Sequence, residues 1–327
     1  MNKKLRIAIV PGEVCGGCDM AFVDLHRNLI DLLGAVDIVF WPIATDFKEE
    51  DVEALDSIDI VFFQGSIRTE KHREIIEKVA EKAKIKVAFG ACACFGGVPS
   101  LADLYALGEV IEEVYLKSPS TENEGGIIPG ETVDNPYGIL APKLVDMNYK
   151  VDDFVDIDIY IPGCPPPKER ILEAVDILVR YFEGRADIEK GTVIAGSRTL
   201  CDECPREKPE KIVIDKFKRI HEVKIDPNKC FLAQGIVCLG IVTRNGCGLP
   251  CIKANMPCRG CMGPAPNVYD VGAKLVSAIA SLVEIENEPK LSDEEIATKA
   301  RTIVDPAGLF YRFTLGLSRL IRVVKKK

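Results

Sequence analysis

Thiol groups are the side chains of this sequence with the most distinctive chemistry. Thirteen of the 327 residues are cysteine. The first two, Cys15 and Cys18, follow the apolar run LRIAIV and enclose two glycines. In a reducing compartment disulfides do not persist, so clustered cysteines are typical of metal ligands or redox thiols. The sequence therefore predicts that these thiols hold metal.

Four cysteines of the first half follow predicted strands of one parallel sheet. Cys15 and Cys18 come after the first strand, Cys92 closes the run KVAFGAC, and Cys164 closes DIYIPGC. Ligands of an open parallel sheet bind beyond the carboxyl ends of its strands, which lie at one edge. Glycines beside these cysteines would let backbone approach closely and leave N–H groups free to bond sulfur. We expect the four thiols to form one metal site.

Cys94 competes with Cys92 for this site. Two residues apart on a strand, both would face the same side, so the pleat does not choose between them. If the strand ends at Cys92, only one can face the site. The spacing alone leaves both possibilities open.

The second half carries eight more cysteines among Pro and Gly residues. They divide into two sets of four, which with the first site makes twelve ligands in three groups and leaves Cys94 over. They lie in CDEC (201–204), at Cys230 and Cys238, in CGLPC (247–251) and in CRGC (258–261).

Iron–sulfur clusters and zinc ions are the two kinds of metal centre that these thiols could hold. All-cysteine tetrahedral sites are common for structural zinc. Three features favour iron–sulfur: the Cys-Pro pairs at 164–165 and 204–205 are similar to those that close ferredoxin cluster motifs, one site lies at a sheet edge, and the ligands are scattered singly. We therefore expect clusters rather than zinc.

The first 185 residues alternate strand and helix patterns. Short β-branched and aromatic runs are separated by helical stretches such as FVDLHRNLIDLLG and TEKHREIIEKVAEKAK, which contain His26 and His72 as surface or packing residues. This alternation predicts an α/β fold, a wound parallel sheet with helices on both faces. The predicted strands are 5–10, 37–41, 59–65, 86–92 and 158–164.

Strand patterns fade after about Arg185, and the cysteine-rich part begins. We predict a wound-sheet domain over 1–185 and an irregular domain over 186–327 that metal clusters hold together. Helical patterns return at 268–283, at 293–303 and in the last twenty residues.

Composition limits the classes of partner. Hydrophobic residues make up 47% and charged residues 28% of the chain, as in a globular protein, and the formal net charge of −8 argues against a nucleic-acid surface. No signal peptide is recognisable, and the longest apolar run is less than half a membrane span. We expect a cytoplasmic protein with no nucleic-acid partner and no membrane span. No phosphate-binding glycine motif supports nucleotide binding.

Five motifs in a fixed order resemble those of one known family. They are CGGC (15–18), GACACFGG (90–97), PGCPP (162–166), CDECPREKP (201–209) and PCRGCMGP (257–264). Together they resemble the small, electron-transfer subunit of [NiFe] hydrogenases over nearly the whole chain. CPREKP and GACACFGG are most similar to the cytoplasmic archaeal subgroup. Within it the methyl-viologen-reducing type, which feeds heterodisulfide reductase in methanogenesis, is nearest, and the deazaflavin-reducing type is next.

The resemblance implies a flavodoxin-like first domain and three 4Fe–4S clusters. It also chooses Cys92 over Cys94, because the family cysteine stands four residues before a Gly-Gly pair, as Cys92 does before Gly96. The implied ligands are Cys15, Cys18, Cys92 and Cys164 for the proximal cluster, Cys201, Cys204, Cys230 and Cys238 for the distal cluster, and Cys247, Cys251, Cys258 and Cys261 for the medial cluster. Cys230 and Cys238 could be exchanged with the medial set.

Three positions depart from better-known periplasmic members of the family. Many of those have histidine where Cys201 stands, and some have proline in place of a fourth medial cysteine. All-cysteine ligation adds negative charge and suits a low-potential acceptor. The family often has Glu directly before the first cysteine, whereas here Val14 is there and Glu13 precedes it, so Glu13 is either a proton relay or a solvated loop carboxylate. Arg259 either tunes a cluster or is an ordinary surface residue.

The expected function is therefore electron transfer in a hydrogenase. Hydrogen is split at a nickel–iron site on a separate large subunit, and electrons pass through three 4Fe–4S clusters to an iron–sulfur or flavin acceptor. The proximal face and the loop 118–138 are candidate contacts with the large subunit. Two alternatives remain: a zinc-stapled scaffold or interaction protein, and an iron–sulfur subunit of a related complex that is not a hydrogenase.

Overall fold

The computed structural model describes residues 4–128, 142–285 and 287–318. Its strands are β1 Leu5–Pro11, β2 Val36–Phe40, β3 Ile58–Gln64, β4 Ile67–Thr69, β5 Ala83–Phe89, β6 Leu144–Tyr149, β7 Ile159–Ile161, β8 Thr192–Val193, β9 Ile212–Ile214 and β10 Val283–Ile285. Its α-helices are α1 Gly17–Val23, α2 Arg27–Ala35, α3 Glu49–Glu53, α4 Glu70–Lys82, α5 Ala91–Phe95, α6 Leu107–Glu112, α7 Lys168–Phe182, α8 Pro250–Lys253, α9 Val271–Leu282, α10 Asp293–Ala300 and α11 Pro306–Phe310.

The main sheet has six parallel strands in the order β2-β1-β3-β5-β7-β8. The first five follow the flavodoxin-like order, in which the winding direction reverses between β1 and β3. The α/β expectation is confirmed. The sixth strand, β8, lies a few residues beyond the predicted boundary at 185.

Apolar residues on both faces hold helices against this sheet. Every residue of β3 is buried, as expected for a central parallel strand covered on both sides. On one face Ile76 and Val79 of α4 pack into the core that contains Phe63. On the other face Phe22 of α1 and Ile171 of α7 pack into a second core. The wound sheet therefore fixes where the loops after its strands lie.

The predicted helix over FVDLHRNLIDLLG is interrupted. His26 has a φ of 53°, which no α-helix continues, and it separates α1 from α2. His26 is exposed and His72 of α4 is half-buried, consistent with surface and packing roles. The predicted strands also end earlier than expected: β5 ends at Phe89 and β7 at Ile161.

The cysteine-rich second half contains short helices and turns around a third apolar core. Phe231, Leu239 and Leu275 are almost fully buried there, and two parallel three-residue strands, β9 and β10, lie at its side. Helices α9 and α10 fall within the stretches predicted from periodicity.

The end of the described chain returns to the wound sheet. Phe313 and Leu317 pack against the core that contains Phe63, and a Cβ on Gly316 would lie 2.6 Å from the carbonyl oxygen of Phe95. Helix α11 and a 3₁₀ turn over Leu315–Leu317 lie at the start of the last twenty residues, where a helical pattern was predicted, and residues 319–327 of that stretch lie outside the described residues.

No single helix among the described residues is long and apolar enough to cross a membrane. The bent pair Ala91–Leu104 and Leu107–Lys117 meets the length and composition requirement only when its two parts are counted together.

Candidate metal centres

Backbone hydrogen bonds join the loops that follow β1, β3, β5 and β7. The N–H of Gly12 donates to the carbonyl of Gln64 at 2.8 Å. On the other side, the N–H of Gly90 donates to Ile161 O at 2.9 Å, and that of Ala91 donates to Gly163 O at 2.7 Å. These bonds fix the loops at the carboxyl edge of the sheet, where the first four candidate cysteines lie.

The proximal set, Cys15, Cys18, Cys92 and Cys164, is brought together at this edge. Cys18 lies in the first turn of α1 and Cys92 in the one-turn helix α5. Burial, and then the charges of Cys92, Cys164 and Cys15, raise the pKa of Cys18 well above its usual range. Burial and the charges of Cys164 and Cys15 raise the pKa of Cys92 to about 12. Thiols this close favour protonation unless a metal takes their negative charge.

Two glycines leave room for the proximal sulfur atoms. A Cβ on Gly90 would lie 2.5 Å from Cys18 Sγ, and a Cβ on Gly97 would lie 2.4 Å from Cys92 Sγ. Both have positive φ, 92° and 60°, a region in which side chains are strained. Only glycine therefore fits beside these two thiols.

Cys94 lies away from the proximal set. It shares α5 with Cys92, and positions two apart on a helix point in nearly opposite directions. Its Sγ donates to the carbonyl oxygen of Ala88 at 3.4 Å, and its side chain is buried in the apolar core beneath the sheet. Its placement is that of a small buried apolar residue.

The distal set, Cys201, Cys204, Cys230 and Cys238, forms a second group. A Cβ on Gly240 would lie 3.3 Å from Cys201 Sγ and 3.7 Å from Cys238 Sγ. Burial, followed by the charges of Cys238, Cys230 and Cys204, raises the pKa of Cys201 to about 12, although Lys208 acts in the opposite sense.

The medial set, Cys247, Cys251, Cys258 and Cys261, forms the third group. Burial and the charges of Cys247 and Cys251 raise the pKa of Cys261 to about 12. Burial raises the pKa of Cys258 far above its usual range, with Cys238 and Cys261 contributing. All thirteen cysteines are free thiols. Cys261 thus has thiols of its own predicted set as neighbours, whereas Cys258 also lies near Cys238 of the distal set, and metal ligation by the twelve stays a prediction.

Two backbone N–H groups connect the three sets. Cys164, from the proximal set, lies near Cys261 of the medial set, since its backbone N–H acts to lower the pKa of Cys261 and its thiol acts to raise it. The N–H of Cys258, from the medial set, donates to Cys238 Sγ in the distal set at 3.3 Å. The three sets therefore lie in series, with the medial set between the other two.

Arg206 is a buried cation beside the distal set. It is only 4% exposed, and its guanidinium lies 3.9 Å from the centre of the Phe231 ring. It donates to the carbonyls of Asp226 and Lys229 at 2.9 Å and to Asn255 Oδ1 at 2.6 Å. Its buried Nε has no hydrogen-bond partner.

An unpartnered buried donor indicates a missing acceptor. Arg206 is two residues from Cys204, and its carbonyl acceptor Lys229 directly precedes Cys230. A negatively charged cluster on the distal set would supply both an acceptor and a counter-charge. The sequence analysis did not predict a role for this arginine of the CPREKP motif. A charged residue directly after a Cys-Pro pair could have indicated it.

Glu13 and Arg259 are both partly buried. Ser66 Oγ donates to Glu13 Oε2 at 3.2 Å, and the charge of Glu13 contributes to the raised pKa of Cys92, so Glu13 is more than a solvated loop carboxylate. Arg259 lines the same pocket as Arg312, and thiols of the distal and medial sets act on its pKa. The part of the loop 118–138 from residue 129 onward lies outside the described residues.

The arrangement of the thiols can be compared with what a zinc ion and what a 4Fe–4S cluster require. A mononuclear zinc site needs sulfur donors about 2.3 Å from one point. No group of three or more His, Cys, Asp or Glu side chains within the described ranges is arranged to hold a single ion. A four-iron cluster is a larger body whose ligand sulfurs lie further apart, and four thiolates are its usual ligands.

The structure is that of an α/β protein with a cysteine-rich second half, and comparison with known proteins names the family. Residues 15–178 match the family described as NADH ubiquinone oxidoreductase, 20 kDa subunit. The match covers half of the chain, and the chain belongs to this family of oxidoreductase subunits.

Full-length relatives narrow the comparison further. A subunit of the F420-non-reducing hydrogenase of Methanothermobacter marburgensis is 36% identical over 329 residues, covering 100% of this chain and 99% of that protein. The iron-sulfur subunit of the F420-non-reducing hydrogenase of Archaeoglobus profundus is 37% identical over 295 residues, covering 88% of this chain and 90% of that protein. These relatives confirm the resemblance to hydrogenase small subunits. F420 is a deazaflavin, so their names agree with the methyl-viologen-reducing type.

A solved structure shows the same fold at greater distance. The [NiFeSe] hydrogenase from Desulfovibrio vulgaris Hildenborough matches with a TM-score of 0.52 and 17% identity, covering 82% of this chain and 96% of the matched chain. At this identity the likeness concerns the fold alone.

Proposed function

We propose that this chain is the electron-transfer subunit of a [NiFe] hydrogenase and that its twelve cysteines hold three 4Fe–4S clusters. The single observation that carries the proposal is the serial arrangement of the three thiol sets, in which Cys164 lies near Cys261 and the N–H of Cys258 donates to Cys238 Sγ. The full-length match to a subunit of an F420-non-reducing hydrogenase supports it. Bound iron–sulfur clusters accept and release single electrons, and the protein sets their spacing, hydrogen bonds and burial.

The proximal set is the end of the series that meets the catalytic subunit. Cys15 and Cys164 are exposed although ligands of a low-potential cluster need protection from water. Large apolar side chains near them are exposed as well: Met20, two residues beyond Cys18, and Val98, whose backbone N–H acts to lower the pKa of Cys92. A partner that covers this edge would bury both the thiols and the apolar side chains.

An exposed apolar surface continues along the chain from Val98. Tyr105 is 61% exposed and Ile127 is 73% exposed, and Asn123 fixes the turn before Ile127 by accepting from its N–H at 2.9 Å. The other exposed apolar residues of this surface are Leu104, Val114, Tyr115, Leu116 and Ile128. We propose that the large subunit, which carries the nickel–iron site, covers this surface in an extensive obligate interface.

The distal set is the end from which electrons leave. We propose that the acceptor is an iron–sulfur or flavin protein of the cytoplasm, in the heterodisulfide reductase system of methanogenesis. The names of the relatives support this assignment, because an F420-non-reducing hydrogenase does not reduce the deazaflavin F420 and so uses a different acceptor. We also propose that the chain divides near residue 185 into a domain with the proximal cluster and a domain with the other two.

A related complex without hydrogenase activity is the second candidate function. The family match over residues 15–178 favours it for the first half alone. The hydrogenase relatives also cover the second half, with its eight cysteines, and this favours the hydrogenase assignment.

Metal analysis of the native complex tests the proposal. Protein purified without oxygen should contain about twelve irons and about twelve acid-labile sulfides per copy of this chain, with nickel in a larger co-purifying subunit. The Cys204→Ser and Cys251→Ser variants should each lose about four irons and a different electron paramagnetic resonance signal, one distal and one medial. Zinc without sulfide would contradict the proposal and support the zinc-stapled scaffold. Clusters without nickel in any co-purifying subunit would support the related non-hydrogenase complex.

A further inference from the structure

A cationic pocket lies in the second half of the molecule. It has a volume of about 270 Å³ and is lined by the cationic or titratable side chains of Lys218, Arg219, His221, Arg259 and Arg312, with apolar walls between them. The chain as a whole carries a formal charge of −8, so this pocket reverses the prevailing sign.

The four permanent cations of the pocket form no close ion pairs in the described part of the chain. None of Lys218, Arg219, Arg259 and Arg312 forms an ion pair with another residue in the described part of the chain. Arg312 Nε donates only to a backbone carbonyl, at 3.3 Å. Burial, and then the charge of Arg312, lower the pKa of Arg259, although nearby thiols act in the opposite sense. Two arginines that line one pocket favour an anion between them.

Acidic groups near the pocket are already engaged. Asp305 lines it, but its Oδ1 accepts from the N–H of Gly308 at 2.9 Å, at the start of α11. Glu222 accepts from the backbone N–H of Arg219 at 2.8 Å. The segment 216–224 around the pocket has four Lys or Arg residues and a histidine against this one glutamate.

The floor of the pocket lies where the distal and medial sets meet. Val237, a wall residue, directly precedes Cys238 of the distal set. Arg259 directly follows Cys258 of the medial set, and the N–H of Cys258 donates to Cys238 Sγ at 3.3 Å. A group bound in this pocket is therefore separated from the candidate electron path by one or two residues.

We propose that this pocket is the docking site of an electron acceptor protein that inserts carboxylate side chains between Arg259 and Arg312. The inference rests on the proposed function, because it requires electrons at the distal and medial sets. A protein surface fits better than a small ligand, because 270 Å³ is below the usual range for ligand pockets and the positive charge extends over the neighbouring segment. Complementary charge steers such a partner and accelerates its association.

The first test compares two dyes of opposite charge as acceptors for the native complex under hydrogen. The ratio of the rate with anthraquinone disulfonate, a dianion, to the rate with methyl viologen, a dication, should fall as salt is raised, because the pocket attracts the anion. In Lys218→Glu/Arg312→Glu this ratio should drop about tenfold and lose its salt dependence. Lys78→Glu/Arg180→Glu, an equal charge change on α4 and α7, should keep the wild-type ratio.

The outcomes of the dye experiment distinguish a failure of the docking proposal from a failure of the proposed function. A wild-type ratio that does not change with salt overturns the docking proposal without any variant. A ratio in Lys218→Glu/Arg312→Glu equal to that of the control pair, in preparations of equal iron content, also overturns it. If the charge-reversed protein does not assemble, Lys218→Gln/Arg312→Gln replaces it, with an expected drop of smaller size. Absence of hydrogen-dependent reduction of either dye contradicts the proposed function instead.

Cross-linking identifies the source of the carboxylates. A carbodiimide joins a lysine to a carboxylate only when the two are in contact. In the native complex Lys218 should be joined to a redox subunit other than the nickel-bearing one. A link from Lys218 to the nickel-bearing subunit would overturn the assignment of this pocket to the acceptor.

Discussion

The backbone N–H of Cys258 donates to the sulfur of Cys238 at 3.3 Å. These two cysteines lie twenty residues apart in sequence and belong to different thiol sets. A hydrogen bond from an N–H to a thiolate stabilises the negative charge, so the bond from Cys258 by itself acts to lower the pKa of Cys238. Burial acts in the opposite direction and is the larger effect, so the pKa of Cys238 is raised to about 11. The contact joins two candidate clusters through one peptide unit and one hydrogen bond.

Gly90 and Gly97 are predicted to be essential for the proximal site. Gly90→Ala and Gly97→Ala each place a methyl group about 2.5 Å from a candidate ligand sulfur, so either variant should lose about four irons per chain. Gly184→Ala is the matched control, because Gly184 has a φ of 70° with open space around it and the change adds only backbone strain of roughly 1–2 kcal/mol. Iron content of the purified complexes provides the measurement. Full iron in Gly97→Ala would show that Cys92 is not a ligand.

Cys94 is predicted to have a packing role only. Cys94→Ala removes one buried sulfur and should lower the free energy of unfolding by about 1 kcal/mol while iron and sulfide stay at the wild-type level. Cys92→Ala, two residues away, should lose the proximal cluster. Denaturant unfolding and iron analysis of the two variants, side by side, separate these effects. Loss of iron in Cys94→Ala together with full iron in Cys92→Ala would reverse the ligand assignment.

Arg206 is predicted to position the distal segments and to neutralise part of the distal charge. Arg206→Met removes the guanidinium donor from the carbonyls of Asp226 and Lys229, which keep only the Gln234 amide at 3.1 and 3.0 Å, and should cost about 2 to 4 kcal/mol of stability. It should also make the distal midpoint potential more negative, because a positive charge near the cluster favours its reduced form. Redox titration followed by electron paramagnetic resonance measures this shift.

Arg206→Lys provides the control for charge. Lysine keeps the cation but cannot reproduce the planar set of donors, so the potential should recover more than the stability does. A midpoint potential that is equal in Arg206→Met and the wild type, at full iron content, would remove the electrostatic role and leave a structural one.

His72 is predicted to make folding stability depend on pH. Its Nδ1 accepts from the backbone N–H of Arg68 at 3.4 Å, and burial lowers its pKa below 6.5. The unfolded chain therefore takes up a proton at a pH where the folded chain does not. The contribution of His72 is complete above about pH 6.5 and is lost as the pH falls through the folded value.

Replacing His72 by Asn tests this dependence, because the amide oxygen can accept the same hydrogen bond without titrating. Denaturation midpoints measured between pH 5 and 8 should fall less steeply toward acid in His72→Asn than in the wild type. Equal slopes in His72→Asn and the wild type would mean that another group controls this pH range.

Local pattern was enough to predict the wound sheet and the meeting of Cys15, Cys18, Cys92 and Cys164 at its edge, whereas the division of the other eight cysteines came from the family resemblance and stays a prediction. Continuous apolar runs identify buried parallel strands, and the cysteines after them must meet at one edge because parallel strands end there together. Cys92 and Cys94 show the limit of this reasoning. The pleat could not choose between them, and the structure separates them because β5 ends at Phe89 and both cysteines lie on a one-turn helix.

The sequence by itself determined the α/β class, the family and the number and order of the thiols, because these depend on residue type, spacing and local periodicity. Only the tertiary structure decided which groups meet across long separations. It brings the N–H of Cys258 to Cys238, buries Arg206 against Phe231, and places Arg259 beside Arg312. Such contacts depend on how loops without regular structure cross one another, and no periodic pattern in the chain encodes that path.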